Sequence, residues 1–329
     1  MIKIMADSTC DLPEKIIQKY SIGVVPLTIN IEGKIYKDKI DIKPDDFYKI
    51  IEDIDYNKLT TSMPSPVDYI SEINKAVKEG CTQILCICMS SGTSGSYQSA
   101  ELAKEYFFEE NEGADIKIHI VDSKCMSHGS GWLILRSCFM REKGASFEEL
   151  IEFNEKNKTN VKHFLSVDDL DHLIRSGRLS NVSAAIGKIL KLRPIMTMKK
   201  GKGAIVAKER GRKKVLKHYV TEFIKRNNSL MTEFIIIGYT SDIAVAENLK
   251  NKMELETDFK GEIYIMQMGV VVGCHVGLGA VSMYFMEKNH KKDNLLVNEI
   301  NGLVQKQKEV LEKQLEIQKE VIEKIKHKK

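Results

Sequence analysis

Long apolar segments are absent from this chain of 329 residues, since none approaches the roughly 18 residues that a membrane-spanning helix requires. The formal net charge is only +4, which gives no reason to expect nucleic acid as a partner. Residues 1–6 form a short strand-like run without the charged and apolar segments of a signal peptide. We therefore predict a cytoplasmic protein that is neither exported nor embedded in a membrane.

Cysteine patterns typical of metal sites or disulfide frameworks do not occur either. The seven cysteines are an odd number, include no C-x-x-C pair and lie partly in apolar runs, as reduced, buried thiols do. The sequence contains no H-E-x-x-H motif, no G-x-S-x-G motif and no metal-spaced Cys/His cluster. We expect no metal and no cofactor.

The chain is long enough for two domains, because a single hydrophobic core usually serves fewer than about 300 residues. Within residues 1–150, short apolar runs alternate with amphipathic helical segments, including one that we expect residues 60–66 to cap. This alternation predicts an α/β domain with a Rossmann-like parallel sheet covered by helices, and ligands bind such sheets at the carboxyl ends of the strands.

After residue 150 the pattern changes to strand-like runs with few helices between them. Residues 151–290 are therefore predicted to form an α+β domain with a mixed or antiparallel sheet, including a hairpin turn at residues 199–203. Residues 291–329 are rich in Lys, Glu and Gln with apolar spacing, which indicates a charged amphipathic helix.

Hydroxyl groups concentrate in residues 90–96, between a predicted strand at 84–88 and a helix that begins near residue 98. Free backbone N–H groups at the positive end of a helix, together with hydroxyl donors, would converge there on an anion. The loop has neither the GxxxxGK[ST] nor the GxGxxG spacing of nucleotide sites. The predicted ligand is a carboxylate or a single phosphate, and the candidate contacts are Ser91, Thr93, Ser94 and Gly95.

Two further hydroxyl-rich segments, residues 7–9 and 60–62, follow or face strand ends of the first domain. Because those ends meet at one edge of a parallel sheet, the three segments can share one crevice, with Thr61 and Ser62 as candidates. Helix capping is the alternative, and for residues 7–9 it is the favoured one. Capping needs only one hydroxyl, whereas residues 90–96 carry five.

His275 lies between glycines after an apolar run, and Arg178 lies in a tight turn with Arg175. An imidazole can donate a hydrogen bond to an anion, and guanidinium groups suit a carboxylate. A lone histidine in an apolar run is more often structural, and surface arginines are usually solvated or ion-paired. The basic run at residues 208–214 is either a solvated face or a docking surface for an acidic partner.

Taken together, several segments strongly resemble the DegV family over about residues 1 to 286, in the family's order. The segments that carry the resemblance are Asp7-Ser8-Thr9-Cys10-Asp11-Leu12, Val25-Pro26-Leu27, Thr61-Ser62-Met63-Pro64-Ser65, Ser90-Ser91-Gly92-Thr93-Ser94-Gly95-Ser96-Tyr97-Gln98-Ser99-Ala100, Val121-Asp122-Ser123-Lys124, Gly177-Arg178-Leu179-Ser180 and Gly273-Cys274-His275-Val276-Gly277-Leu278-Gly279. The chain departs from the family's pattern at Met63, Thr93, Ser96 and Leu278, where that pattern has Gln, Leu, Thr and Pro.

The resemblance implies a two-domain protein that encloses one long-chain fatty acid such as palmitate. The tail would lie in an apolar tunnel of the second domain and the carboxylate at the domain interface. The implied head-group contacts are Thr61 or Ser62, Ser94 with its neighbours Ser91, Thr93 and Gly95, and His275, with Arg178 nearby. The resemblance further implies presentation of the bound acid to an ATP-dependent fatty acid kinase, which makes acyl phosphate for phospholipid synthesis. Such a protein is a carrier subunit and not an enzyme.

Two other classes of function remain open from the residues themselves. One is an acyl or phosphoryl hydrolase that uses Ser91 or Ser94 with His275 as nucleophile and base. The other is an interaction module built around the C-terminal helix. Burial of a free carboxylate without several donors is costly, and the hydroxyl segments with His275 would supply such donors, so the residues favour the lipid-binding hypothesis.

Overall fold

The computed structural model describes residues 1–179 and 192–288, so Ser180 and the predicted C-terminal helix at 291–329 lie outside the described residues. The strands are β1 Ile2–Asp7, β2 Gly23–Val25, β3 Thr28–Ile31, β4 Lys34–Lys37, β5 Leu59–Ser62, β6 Gln83–Cys88, β7 Lys117–Asp122, β8 Val161–Ser166, β9 Leu192–Lys199, β10 Lys202–Arg210, β11 Phe234–Tyr239, β12 Glu262–Gln267 and β13 Val281–Met286.

The α-helices are α1 Glu14–Lys19, α2 Pro44–Ile50, α3 Pro66–Lys78, α4 Ser96–Glu110, α5 His128–Glu142, α6 Phe147–Asn157, α7 Asp171–Ser176, α8 Arg212–Arg226, α9 Ile243–Glu256 and α10 Val270–Val276. Three short 3-10 helices cover Ser8–Cys10, Ile51–Asp53 and Tyr56–Lys58.

The first sheet has the order β2-β1-β6-β7, and all of its neighbouring strands are parallel. Its central strands are almost continuously apolar because both faces are covered. Helices α3 and α4 pack on one face and α5 and α6 on the other. The predicted parallel α/β arrangement of the first half is confirmed.

The second sheet has six strands in the order β10-β9-β8-β13-β11-β12. Only β11 and β12 pair in parallel, so the predicted mixed sheet is confirmed. The hairpin predicted at residues 199–203 joins β9 to β10, with positive φ angles at Lys200 and Gly201. The predicted domain boundary at residue 150 falls within α6, and the division into domains stays a prediction.

Helix α5 joins the two large sheets into one core. Its buried residues contact Leu85 of the first sheet and Phe234 of the second within the same cluster. Trp132 stacks on Phe234 with ring centroids 5.0 Å apart, and its indole N–H donates a hydrogen bond to the Phe234 carbonyl at 3.1 Å. The two sheets are therefore held against a shared helix rather than connected by a linker alone.

A third, antiparallel sheet with the order β4-β3-β5 was not predicted. Residues 60–62, which we expected in a helix cap, belong to strand β5 instead, because the β-branched pair Thr60 and Thr61 suits a strand that pairs with β3. The cap of α3 is Ser65, which forms a capping box with Asp68.

Helix α10 lies in the sequence between β12 and β13 of the second sheet but packs against the first half of the chain. Its residues Val270, Val271 and Cys274 share a core cluster with Ile29 and Phe47 of β3 and α2. This packing moves the segment that carries His275 next to the small antiparallel sheet.

Candidate functional site

A cavity is lined by segments from both halves of the chain. Polar side chains of Thr61, Thr93, Ser94, Arg178 and His275 form part of its wall. The rest is mostly apolar and comes from the ends of β1, β6, β7 and β12, from β8, β9 and β13, and from α7 and α10. Such a combination of a largely apolar wall and a few polar groups is typical of small-molecule sites.

Thr61 and His275 form the central polar contact of this wall. The Thr61 hydroxyl Oγ1 lies 2.8 Å from His275 Nε2, and the direction of donation depends on the imidazole tautomer. Residues of β5 alternate between the two faces, so Thr61 and Leu59 are partly buried whereas Thr60 and Ser62 are exposed. The strand period therefore separates Thr61 from its neighbour Ser62.

Burial, together with the nearby charges of Arg178 and His172, lowers the pKa of His275 to about 4. The imidazole is consequently neutral at pH 7, with one nitrogen able to donate a hydrogen bond and the other able to accept one. A bound anion would reverse part of this shift, because a negative charge favours the protonated ring.

Most backbone N–H groups of residues 90–96 are not free, contrary to the expectation from the sequence. The Ser90 amide donates to the Cys125 carbonyl, and the Thr93 and Ser94 amides donate to the Ser90 carbonyl. The amides of residues 91, 92 and 96 donate to the side chains of Asp122, Ser90 and Ser94. Serine hydroxyls compete for neighbouring amides in this way, so the loop offers the cavity side-chain hydroxyls instead.

The loop hydroxyls themselves divide into two groups. Thr93 and Ser94 line the cavity, and the Ser94 hydroxyl also lies 2.9 Å from the Ser96 hydroxyl. Ser91 is directed elsewhere: its hydroxyl donates to Asp122 and accepts from the Lys124 ammonium group at 3.1 Å. Ser91, Ser62 and Gly95 are outside the cavity wall, and their predicted contact with a ligand stays untested.

Gly95 is the residue before α4, and Met63 lies directly over it. A Cβ atom at Gly95 would lie only 2.2 Å from Met63 Sδ. Met63 also lines the cavity, although 51% of its surface is exposed, so it marks the side where the cavity meets solvent.

Arg178 follows the end of α7, where Gly177 adopts a left-handed conformation with a φ of 70°. Its guanidinium group donates a hydrogen bond to the Ser176 carbonyl, and the side chain lines the cavity. Four further guanidinium N–H groups are available in principle to a ligand, because the group carries five donors. The structure thus brings Arg178 and His275 to the same cavity, as the sequence predicted.

Two residues that sequence analysis did not identify fix the start of α10. Tyr48 donates a hydrogen bond from its hydroxyl to the Met268 carbonyl at 3.1 Å. Asp11 lies against Gly269 and accepts a hydrogen bond from the Ser127 hydroxyl at 2.5 Å. Burial raises the pKa of Asp11 to about 7. Only its position in the fold identifies Tyr48, because a tyrosine in an amphipathic helix gives no sequence signal.

The described parts of the chain contain neither a candidate metal site nor a helix that could span a membrane. Residues 1–179 and 192–288 contain no group of three or more His, Cys, Asp or Glu side chains placed to hold a metal. No helix within those ranges is both long and apolar enough to cross a bilayer. All seven cysteines are buried and unpaired.

The fold is that of an α/β protein with a largely apolar cavity lined by segments of two sheets. The chain belongs to the DegV family, since the model of that family, described as "Uncharacterised protein, DegV family", matches residues 1–288. A DegV domain-containing protein of Clostridium acetobutylicum is 37% identical over 288 residues, which cover 87% of this chain and 99% of that protein.

Solved structures of similar proteins add information about ligands in the family. A DegV family protein from Thermus thermophilus, described with fatty acid binding, has 29% identity and a TM-score of 0.77, and covers 87% of this chain and 99% of its own. A stearic acid-binding protein from Eubacterium ventriosum has 28% identity and a TM-score of 0.78, and covers 88% of this chain and 99% of its own.

Proposed function

We propose that this protein binds one long-chain fatty acid, such as palmitate, with its carboxylate among Thr61, Ser94, Arg178 and His275. The hydrogen bond between Thr61 and His275 carries this proposal, because it places a neutral imidazole and a hydroxyl side by side in the cavity wall. A carboxylate buried without donors is costly, whereas these groups and the Arg178 guanidinium supply several.

The apolar part of the cavity suits the hydrocarbon tail. Each buried methylene contributes about 0.8 kcal/mol, so a chain of palmitate length can bind tightly without a catalytic group. The fatty acids described for the relatives from Thermus thermophilus and Eubacterium ventriosum support the same ligand class.

We further propose that the protein acts as a carrier subunit in the cytoplasm. It would present the carboxylate to an ATP-dependent fatty acid kinase, whose acyl phosphate product enters phospholipid synthesis. The hydrolase alternative finds less support, because His275 Nε2 contacts Thr61, whereas the Ser91 and Ser94 hydroxyls contact other polar groups. A nucleophile and its base should lie within hydrogen-bond reach of each other.

Mass spectrometry of an organic extract of the purified protein tests the ligand class. We expect a stoichiometric amount of long-chain fatty acid in the extract. The delipidated protein should bind palmitate, and it should bind hexadecanol more weakly because the alcohol has no carboxylate. Protein that is empty after purification and also fails to take up palmitate or oleate would refute the proposal.

The kinase role requires a separate assay. With ATP, a fatty acid kinase and this protein loaded with palmitate, acyl phosphate should form, and omission of this protein should abolish its formation. Turnover of acyl or phosphoryl esters by this protein alone, lost on His275→Ala, would instead support the hydrolase.

A further inference from the structure

Methionine is concentrated in the cavity wall. Six of the 14 methionines of the chain line the cavity, and they are Met63, Met89, Met126, Met196, Met198 and Met268. Apart from Met63 at the solvent side, we call these residues the methionine wall. Met268, Met196 and Met89 are 0%, 2% and 8% exposed, so they are interior residues and not a surface feature.

The methionine wall is assembled from separate segments of the chain. Met89 follows β6, Met126 precedes α5, Met268 follows β12, and Met196 and Met198 point to the same face of β9 because they are two residues apart. The periodicity of any one helix or strand therefore does not explain why so many methionines line the cavity. The segments have in common only that they reach this cavity.

Rigid apolar side chains, by contrast, occupy the wall only in part. Tyr284 is the only Phe, Tyr or Trp side chain among the lining residues that the structure describes, although the chain contains 11 Phe and 11 Tyr. Phe164 and Phe285 pack in the core of the second sheet instead. The valines of the wall, Val271, Val272 and Val276, all lie on α10, the helix that also carries His275.

This distribution separates a stiff part of the wall from an adaptable one. Valine has one strongly preferred χ1 rotamer in a helix, so the surroundings of His275 keep their shape. Methionine is unbranched, has three rotatable bonds and fills irregular space, which is why it recurs at binding surfaces that accept several partners.

We propose that the methionine wall adapts to acyl chains of different shape, so that straight saturated chains and bent cis-unsaturated chains bind with similar affinity. This inference rests on the proposed function and names the substrate class of the same site. The carboxylate stays fixed by the groups on β5, α7 and α10, while the wall around the tail changes its rotamers. Stearate and oleate have the same chain length, so their affinities should then differ by less than about tenfold, which corresponds to about 1.4 kcal/mol, and palmitate serves as the shorter reference.

Competition binding to the delipidated full chain tests the proposal with two triple variants. In the first, Met126, Met196 and Met268 are each changed to Ile, which keeps a similar size but stiffens the side chain at χ1. In the matched control, Met5, Met253 and Met283, each 0% exposed and outside the cavity wall, are changed to Ile. The cavity variant should lose oleate affinity relative to stearate by about tenfold or more, and the control should leave that ratio unchanged.

Three results would overturn the inference: a wild-type preference of about a hundredfold for one chain shape, an unchanged ratio in the cavity variant, or the same altered ratio in the control. If the triple cavity variant does not fold, Met196→Ile alone is measured for the same ratio, and Met196→Leu serves as its comparison. Failure of the proposed function is distinguishable, since in that case the wild-type protein binds none of the three fatty acids.

Discussion

Thr61 and His275 are separated by 214 positions in the sequence, yet Thr61 Oγ1 and His275 Nε2 lie 2.8 Å apart. The contact joins a strand of the small antiparallel sheet to a helix that lies between two strands of the second large sheet. Its geometry depends on α10 packing against Ile29 and Phe47. The proposed head-group site is therefore a product of contacts between distant parts of the chain, and each part can be tested separately.

Removal of the Thr61 hydroxyl should weaken fatty acid binding. Thr61→Val keeps the β-branched shape and the strand but leaves His275 without its partner, which costs about 1 kcal/mol or more in hydrogen bonding. We expect roughly a tenfold higher Kd for palmitate by isothermal titration calorimetry. Thr61→Ser keeps the hydroxyl and should retain most of the affinity, whereas an unchanged Kd in Thr61→Val would contradict a role for the hydroxyl.

Loss of the Tyr48 hydroxyl should lower both the free energy of unfolding and the affinity for palmitate, because this hydroxyl joins α2 to the start of α10. Tyr48→Phe leaves the buried Met268 carbonyl without this donor, at a cost of about 1–3 kcal/mol of unfolding free energy. Tyr219→Phe is the control, since the buried Tyr219 likewise donates to a backbone carbonyl, that of Val281 at 3.0 Å, and does not line the cavity.

Denaturant unfolding and palmitate binding should separate the two variants. Both should lose stability, but only Tyr48→Phe should bind palmitate several-fold more weakly. Equal affinities in the two variants would show that α10 does not need this hydrogen bond to position His275.

Acidification should protonate His275 only well below neutral pH. Because its pKa is about 4 in the folded protein and about 6.5 when unfolded, the unfolded chain binds the proton more readily. The contribution of the neutral ring to the free energy of unfolding is fully present above pH 6.5 and is lost as the pH falls toward 4. The stability of the wild type should therefore decrease relative to His275→Gln across this window.

Ligand binding should raise the same pKa, since a carboxylate beside the ring favours imidazolium. NMR titration of the His275 ring protons should show a midpoint near pH 4 without ligand and a higher midpoint with palmitate. An identical midpoint in both states would contradict contact between the carboxylate and His275.

Gly92 should tolerate no side chain, because it lies against the turn between β9 and β10. A Cβ atom there would be 2.4 Å from the Gly201 carbonyl oxygen, and Ser90 also donates a hydrogen bond to that oxygen at 2.6 Å. Gly92→Ala should cost about 1–3 kcal/mol and weaken palmitate binding, since Met196 and Met198 of the same hairpin line the cavity.

Gly113→Ala provides the comparison for Gly92→Ala. Gly113 has a φ of 80° and open space around it, so only its backbone conformation opposes a side chain, at a cost of about 1–2 kcal/mol. Palmitate affinity should not change in this variant. A similar loss of affinity in both would indicate that general destabilisation, and not the hairpin contact, affects binding.

Truncation after Lys288 should leave fatty acid binding intact. The family match covers residues 1–288, and the lining residues that the structure describes lie within that range. We expect the same Kd for palmitate in the truncated and full-length proteins. A change in assembly together with a loss of binding would favour the interaction module centred on residues 289–329.

Local sequence patterns predicted the elements of the fold well. Alternating apolar runs and helical segments indicated the parallel sheet, and residues 199–203 indicated the hairpin, because these signals depend on near neighbours. The small sheet was missed because β5 has only four residues and pairs with β3, from which strand β4, helix α2 and two 3-10 helices separate it.

The site could be predicted only in part. The polar residues Thr61, Thr93, Ser94, Arg178 and His275 were identified, and the structure brings them to one cavity. Which hydroxyls face the cavity and which amides are already bonded depends on tertiary contacts such as those of Asp122 with Ser91. The methionine wall was not predicted, because its members have no common spacing in the sequence.

A crystal structure of the delipidated protein reloaded with palmitate tests the central claim most directly. The account predicts one carboxylate oxygen within about 3 Å of His275 or Thr61 and the hydrocarbon tail against the methionine wall. A carboxylate bound elsewhere on the chain, or a tail that lies outside the cavity, would contradict it.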